Sequence, residues 1–252
     1  MGKIIAVVNQ KGGVGKTTTA VNLTAALHDL GLKGLQCDCD PQANATSGLG
    51  LDKRKIKYSV YDVTINDVPL EDAVVSTQYG DVLPSAADLA GATVELISAD
   101  HRERQLEKAL QSAKGKYDVI FIDCPPSLEL LTLNGLCAAD GILIPVQCEY
   151  SALEGLSDLM NTLRMVKKRL NPRLEIFGVA LTMFDGRTTF STQVAQEVRR
   201  PFPGKVCSTA IPRNIRLAEA PSHGIPVTAY DKYSRGAKAY KEMAEEIKTK
   251  LM

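Results

Sequence analysis

The stretch Asn9-Gln10-Lys11-Gly12-Gly13-Val14-Gly15-Lys16-Thr17-Thr18 decides how this chain is read. Before it lies an apolar run of strand length, Lys3-Ile4-Ile5-Ala6-Val7-Val8. After it, over residues 16–30, Ala20, Leu23, Ala26, Leu27 and Leu30 recur at helical spacing. A glycine-rich loop between a strand and a helix is the setting of a phosphate-binding loop. Gly12, Gly13 and Gly15 carry no Cβ, so the backbone can curl and aim its N–H groups inward around Val14. The helix starting near Lys16 adds the positive end of its dipole. In such a loop Lys16 reaches the β- and γ-phosphate oxygens, the Thr17 hydroxyl ligates Mg2+ and Thr18 bonds the α-phosphate.

Outward from this loop, apolar runs alternate with longer helical patterns. Residues 34–38, 117–123, 141–146 and 175–183 read as strands. Residues 153–170, stopped by Asn171-Pro172, and residues 191–200 and 235–251 read as helices. Strands that are apolar throughout are buried on both faces. With helices between them, they predict an α/β fold: a doubly wound, mostly parallel sheet flanked by helices, of the P-loop NTPase kind. No repeat or linker interrupts residues 1–252, so one domain is expected. Residues 50–100 are the least readable part.

The 252 residues are 44% hydrophobic and 23% charged, which excludes wholesale disorder. No apolar run reaches roughly 18 residues, which excludes a spanning helix. Six cysteines and no export signal favour a reducing cytoplasm. The net charge of +1 hides an asymmetry. Residues 1–163 hold 13 Lys and Arg against 21 Asp and Glu, whereas residues 164–252 hold 17 against 8. A basic C-terminal third points to a polyanion, although sequence does not reveal whether those charges share a face.

Three carboxylates close predicted strands. Asp38 and Asp40 lie in Cys37-Asp38-Cys39-Asp40-Pro41-Gln42-Ala43-Asn44, where alternating spacing lets both face one side. Asp123 ends Val119-Ile120-Phe121-Ile122-Asp123. Ligands of doubly wound sheets sit beyond the carboxyl ends of the strands. A lone strand-end Asp is as often a cap or turn residue.

The strict phosphate-loop pattern needs glycine where Gln10 stands. The departure resembles the deviant Walker A motif KGG-x-GK-[ST], whose extra lysine is Lys11. That motif marks the family of ParA, MinD and nitrogenase iron protein ATPases. The resemblance implies a nucleotide-sandwich homodimer with ATP and Mg2+, in which Lys11 crosses the interface to the partner's phosphates as an arginine finger does. The DxDPQ stretch is similar to the family's second nucleotide motif. It implies that Asp40 orients or deprotonates the attacking water and that Asp38 supports Mg2+ through bound water. Asp123 resembles a Walker B carboxylate holding Mg2+, and Cys124-Pro125-Pro126-Ser127-Leu128 resembles the segment that senses the γ-phosphate.

Leu181-Thr182-Met183-Phe184-Asp185-Gly186-Arg187-Thr188 and the stretch from Ile211 to Ser222 resemble the ParA/Soj-type partition ATPases specifically. The resemblance implies an adenine pocket at Met183, Pro212, Arg213 and Asn214. Residues 149–155 resemble a segment near the family's dimer interface, with Ser151 where a second tyrosine is common. No stretch resembles the extra N-terminal DNA-binding domain of longer plasmid relatives, so the short form is expected. The family binds double-stranded DNA without sequence preference and is released by a ParB-type (Spo0J-type) centromere-binding protein that stimulates hydrolysis. Arg187 and Arg216 match its DNA-contact positions, with Arg199, Arg200, Arg235, Lys238 and Lys241 as further basic candidates. A cytoplasmic, nucleoid-associated protein is implied. Two rivals within the family are a membrane-bound ATPase like MinD and an ATPase that positions a protein cargo. A membrane is not expected, because residues 235–252 carry Glu242, Glu245 and Glu246 among their lysines. An iron–sulfur role is not expected either, for want of a Cys-x-x-Cys pair.

Overall fold

The structure, a computed structural model, describes residues 2–149 and 152–252. The seven strands of its sheet are β1 Lys3–Val7, β2 Gly34–Asp38, β3 Val75–Thr77, β4 Gly80–Leu83, β5 Val119–Asp123, β6 Gly141–Gln147 and β7 Glu175–Thr182. Their order is β3-β4-β2-β5-β1-β6-β7. All neighbours run parallel except β3, which pairs antiparallel with β4 at the edge. The expected doubly wound, mostly parallel sheet is therefore present. From β1 the chain passes to β2 on one side and later to β6 on the other, so the order reverses at β1, where such sheets bind ligands.

Helices pack on both faces. They are α1 Lys16–Asp29, α2 Asn44–Gly48, α3 Val60–Ile65, α4 Leu70–Ala73, α5 Leu89–Leu96, α6 Gln105–Leu110, α7 Leu130–Ala138, α8 Ala152–Arg169, α9 Thr189–Arg199, α10 Ile215–Glu219, α11 Val227–Tyr230 and α12 Arg235–Leu251. Alternate residues of one strand serve opposite cores. Ile4, Ala6 and Val8 meet Leu106, Leu110, Leu136 and Leu159 on one side. Ile5 and Val7 meet Leu23 and Leu27 of α1 and Tyr240, Met243 and Ile247 of α12 on the other. This double burial is why the strands read as unbroken apolar runs.

Residues 50–100 form α3 to α5 and the β3–β4 hairpin. A capping box opens α3: the Ser59 hydroxyl accepts from Tyr61 N–H at 3.1 Å, and the Asp62 carboxylate accepts from Ser59 N–H at 2.8 Å. The elements are three to eight residues long, so each holds too few repeats for a period to be read.

The apolar stripe of α12 is spent on α1. Tyr240 is buried there, its phenol oxygen 3.1 Å from the hydroxyl of Thr19, itself fully buried. Tyr240→Phe keeps the ring and strands that hydroxyl. A loss of about 1–2 kcal/mol in urea unfolding is expected; an unchanged midpoint and slope would rule this bond out as a contributor.

Candidate nucleotide site and basic groove

The phosphate loop leaves β1, an interior strand of the sheet. Val7, the last residue of β1, pairs with Asp123, the last of β5, and Asp123 pairs in turn with Asp38, the last of β2. The loop thus opens beside two carboxylates at the carboxyl ends of the interior strands. Gly13 (φ 73°) and Gly15 (φ 91°) are left-handed, a conformation that costs residues with a Cβ. Asn9 anchors the loop: its Nδ2 donates to the Pro145 carbonyl at 2.7 Å and its Oδ1 accepts from Lys11 N–H at 3.0 Å. On the far side the Thr182 hydroxyl donates to the Val14 carbonyl at 2.8 Å. Lys16 and Thr17 begin α1, so their side chains stand at the positive end of its dipole. Lys16 is buried and its Nζ donates to the Lys11 carbonyl at 3.1 Å. Burial lowers the Lys16 pKa, and Asp123 and Asp40 partly offset this. Lys11 is half-buried, while Gly12 and Gly13 are exposed at the tip.

The two paired carboxylates differ. Asp38 Oδ2 accepts from both the N–H and the hydroxyl of Thr46, each at 2.7 Å, and Oδ1 accepts from Asp40 N–H at 3.2 Å. Burial nevertheless raises its pKa to about 6, against those hydrogen bonds. Asp123 is fully buried, and neither of its oxygens finds a hydrogen-bond partner among the described residues. Its pKa stands well above the usual carboxylate range, through burial first and then Asp38; the nearby Thr17 hydroxyl, outside hydrogen-bond geometry, and Lys16 pull the other way. An orphaned buried carboxylate is costly unless a cation meets it. With Thr17 and Asp38 beside it, the donor set is all oxygen, which suits Mg2+. Asp40 is buried, its Oδ1 accepting from Gln42 N–H at 2.9 Å.

Next to Gly15 and Thr18 lies a cavity of about 300 Å3, lined chiefly by Thr182, Met183, Pro212, Asn214, Leu217 and Tyr240. Four residues expected there, Met183, Pro212, Arg213 and Asn214, come together although they lie 29 or more residues apart on two segments. The segments are stitched: Phe184 N–H donates to the Ile211 carbonyl at 3.0 Å, and Ile211 N–H to the Leu181 carbonyl at 2.8 Å. Met183 takes a left-handed φ of 50° in this seam. Thr182, Leu217, Ala218 and Tyr240 were not anticipated. Asn214 caps α10 by accepting from Arg216 N–H at 3.0 Å. A cap followed by Leu217 is a local signal that would have found that wall of the cavity.

Pro212 and Arg213 also border a second groove, of about 480 Å3, with Arg187, Arg235 and Lys238 on its rim and Asp185 and Glu242 among them. Arg187 is exposed and held by Asp185 through two hydrogen bonds of 2.9 and 2.8 Å. The other basic candidates lie outside this lining. Arg216 is exposed on α10, paired with Glu219 at 2.7 Å and Asp231 at 3.3 Å. Lys241 is exposed on α12. Arg199 and Arg200 are exposed at the end of α9, beside Pro201 to Pro203, which line a different cavity with Glu175 and Ile176 at the start of β7. Of the expected interface segment, Tyr150 and Ser151 lie outside the described residues. Glu149 pairs with Arg213 at 3.1 Å. All six cysteines are buried free thiols, and among the described residues no helix is long and apolar enough to cross a membrane.

A phosphate loop at the switch point, bordered by strand-end carboxylates and a largely apolar cavity, defines a P-loop nucleotide hydrolase with a second lysine in its loop. Residues 2–176 match the AAA_31 family, described as an AAA domain. The chain is 54% identical over 249 residues to the sporulation initiation inhibitor protein Soj of Bacillus subtilis, covering 98% of each chain. It is 49% identical to the chromosome partitioning protein ParA of Myxococcus xanthus, covering 98% of this chain and 88% of that one. Among solved structures it resembles septum site-determining protein MinD of Pyrococcus horikoshii complexed with Mg-ADP (TM-score 0.81, 33% identity, 98% and 96% covered). It also resembles a cobyrinic acid a,c-diamide synthase of Mycobacterium smegmatis with bound ADP and magnesium (TM-score 0.85, 40% identity, 97% and 93% covered). The chain belongs to the ParA/Soj family of chromosome-partitioning ATPases.

Proposed function

We propose that this ATPase is a DNA-partition switch: with ATP and Mg2+ it closes as a homodimer, binds duplex DNA without sequence preference, and lets go when a ParB-type partner stimulates hydrolysis. In this reading residues 1–252 act as one unit. The backbone from Gly12 to Thr18 and Lys16 cradle the phosphates, and Lys11 reaches the partner's nucleotide. Met183, Pro212, Arg213 and Asn214 hold the base. Thr17 and Asp123, with Asp38 behind them, hold Mg2+. Bound there, that ion would supply positive charge against the negative charge that develops on the phosphates. Asp40 orients or deprotonates the attacking water.

The observation that carries the DNA reading is the basic groove, whose Pro212 and Arg213 also line the base cavity. A nucleotide seated in one therefore bears on the walls of the other. Duplicating the groove in a dimer adds avidity, which makes DNA affinity follow nucleotide state. The apolar stripe of α12 packs against α1, which counts against a membrane-binding tail. Cytoplasmic, nucleoid-associated action follows from this reading.

The test is binding to nonspecific duplex DNA with ATP or ADP across a salt series. ATP-dependent binding that weakens steeply with salt is expected, with each phosphate contact contributing about 0.9 to the log–log slope. Lys238→Ala, Arg187→Ala and Arg216→Ala each retain ATP binding and flatten that slope by about 1 per lost contact. Slopes equal to wild type in all three would remove these side chains from the interface. Absence of DNA binding under every condition would overturn the partition reading while leaving the ATPase.

A further inference from the structure

Asp38 and Asp123 end adjacent strands in register, and both are fully buried. Two like carboxylates this close would ordinarily compete for one cation. Here the protein treats them unequally. Asp38 receives three donors, and both on Oδ2 come from Thr46: its N–H and its hydroxyl, each at 2.7 Å. Asp123 receives none from the described residues.

Thr46 is itself fully buried and held from behind. Its Oγ1 accepts from Ser85 N–H at 2.9 Å. Because Ser85 supplies a proton to that oxygen, the single proton of the Thr46 hydroxyl is committed to Asp38. The chain of bonds has one direction: Ser85 N–H to Thr46 Oγ1, Thr46 O–H to Asp38 Oδ2. It ties the segment after β4 to the end of β2. Ala43, at φ 53°, turns the backbone just ahead of α2, the helix that carries Thr46.

We propose that Thr46 is a positioning residue for the cation site: it locks Asp38 in one orientation and leaves Asp123 as the carboxylate open to the cation. This rests on the Mg2+ reading above. Mg2+ demands near-ideal octahedral geometry, so a carboxylate free to swing beside it is penalised. Groups that orient metal-site carboxylates typically carry 10–100-fold in metal affinity.

The test titrates Mg2+ against the ADP-bound full chain and follows thermal stabilisation, a readout separate from turnover. Thr46→Val keeps the shape and removes the hydroxyl, Thr46→Ala removes it without bulk, and Thr46→Ser restores it. Asp123→Asn is run in parallel. The expected result is a rise of roughly 10-fold or more in half-saturating Mg2+ for Val and Ala, with Ser within about threefold of wild type and ADP affinity without Mg2+ little changed. The proposal is overturned if Val and Ala titrate like wild type while Asp123→Asn loses its response, since the cation site would then stand without Thr46. It is equally overturned if Ser shifts as far as Val, or if Val and Ala fail to fold while Ser folds, because the bond would then be merely structural. If Asp123→Asn itself titrates like wild type, the cation reading falls and this proposal with it.

Discussion

Asp40→Ala is expected to bind ATP within about threefold of wild type and to release phosphate at least roughly 100-fold more slowly, the usual scale for losing a positioned acid–base group. The buried carboxylate acts on Lys16, but it is an acceptor only and carries the same sign as the phosphates, so its loss is not expected to weaken nucleotide binding. The carboxylate accepts from Gln42 N–H at 2.9 Å, a contact that also shapes the turn that follows. Two variants separate these jobs. Asp40→Asn keeps an acceptor for Gln42 and cannot take a proton; Asp40→Ala loses both. Equally slow phosphate release in both assigns the defect to chemistry. Near-normal release in Asp40→Asn would shift the role from proton acceptor to orientation of the turn or the water. Wild-type turnover in Asp40→Ala would end the assignment altogether. Single-turnover phosphate release beside equilibrium nucleotide binding decides among these outcomes.

Asp123→Asn is expected to abolish most of the Mg2+ contribution to nucleotide-bound stability while leaving the nucleotide-free protein as stable as wild type, or about 1–2 kcal/mol more so, at neutral pH. In wild type a ligand at 100 times its Kd adds about 2.7 kcal/mol. The sign follows from burial. Asp38 and Asp123 both have folded-state pKa values raised above their unfolded ones. Such groups contribute stability that is fully present below the unfolded value of about 4 and is lost as pH rises through the folded value, about 6 for Asp38. Without a cation the protein should therefore gain stability on moderate acidification from this pair, and Asp123→Asn should flatten the trend. Calorimetric melting from pH 4.5 to 7.5, with and without Mg2+ and ADP, checks both parts. A variant that melts well below wild type without ligand, and keeps its Mg2+ response, would disprove the orphaned-carboxylate argument.

Much of this molecule is legible in its residues because the informative features are local. The phosphate loop is ten consecutive residues whose glycines sit where left-handed turns are required, at Gly13 and Gly15. Buried parallel strands and amphipathic helices announce themselves by unbroken or periodic apolarity. The span expected for α12 is the one observed, and β5 merely begins two residues later than read, at Val119. Residues 50–100 carried no such signal because their short elements are held by packing against α6, α7 and β2 rather than by their own periodicity.

By itself, then, the sequence determined the fold class, the phosphate loop and the carboxylates at strand ends, because each is written in contiguous residues. The tertiary structure decided everything that depends on register and approach. It drew Met183 and Asn214 to one cavity, put Arg187 and Lys238 on one groove and kept Arg199 and Arg200 away from it. It also gave two similar aspartates unlike surroundings: three donors converge on Asp38, and none within the described chain reaches Asp123. Hydrogen bonds and burial act over a few ångströms of space, and strands brought together from residues 38 and 123 set those distances where no sequence spacing can.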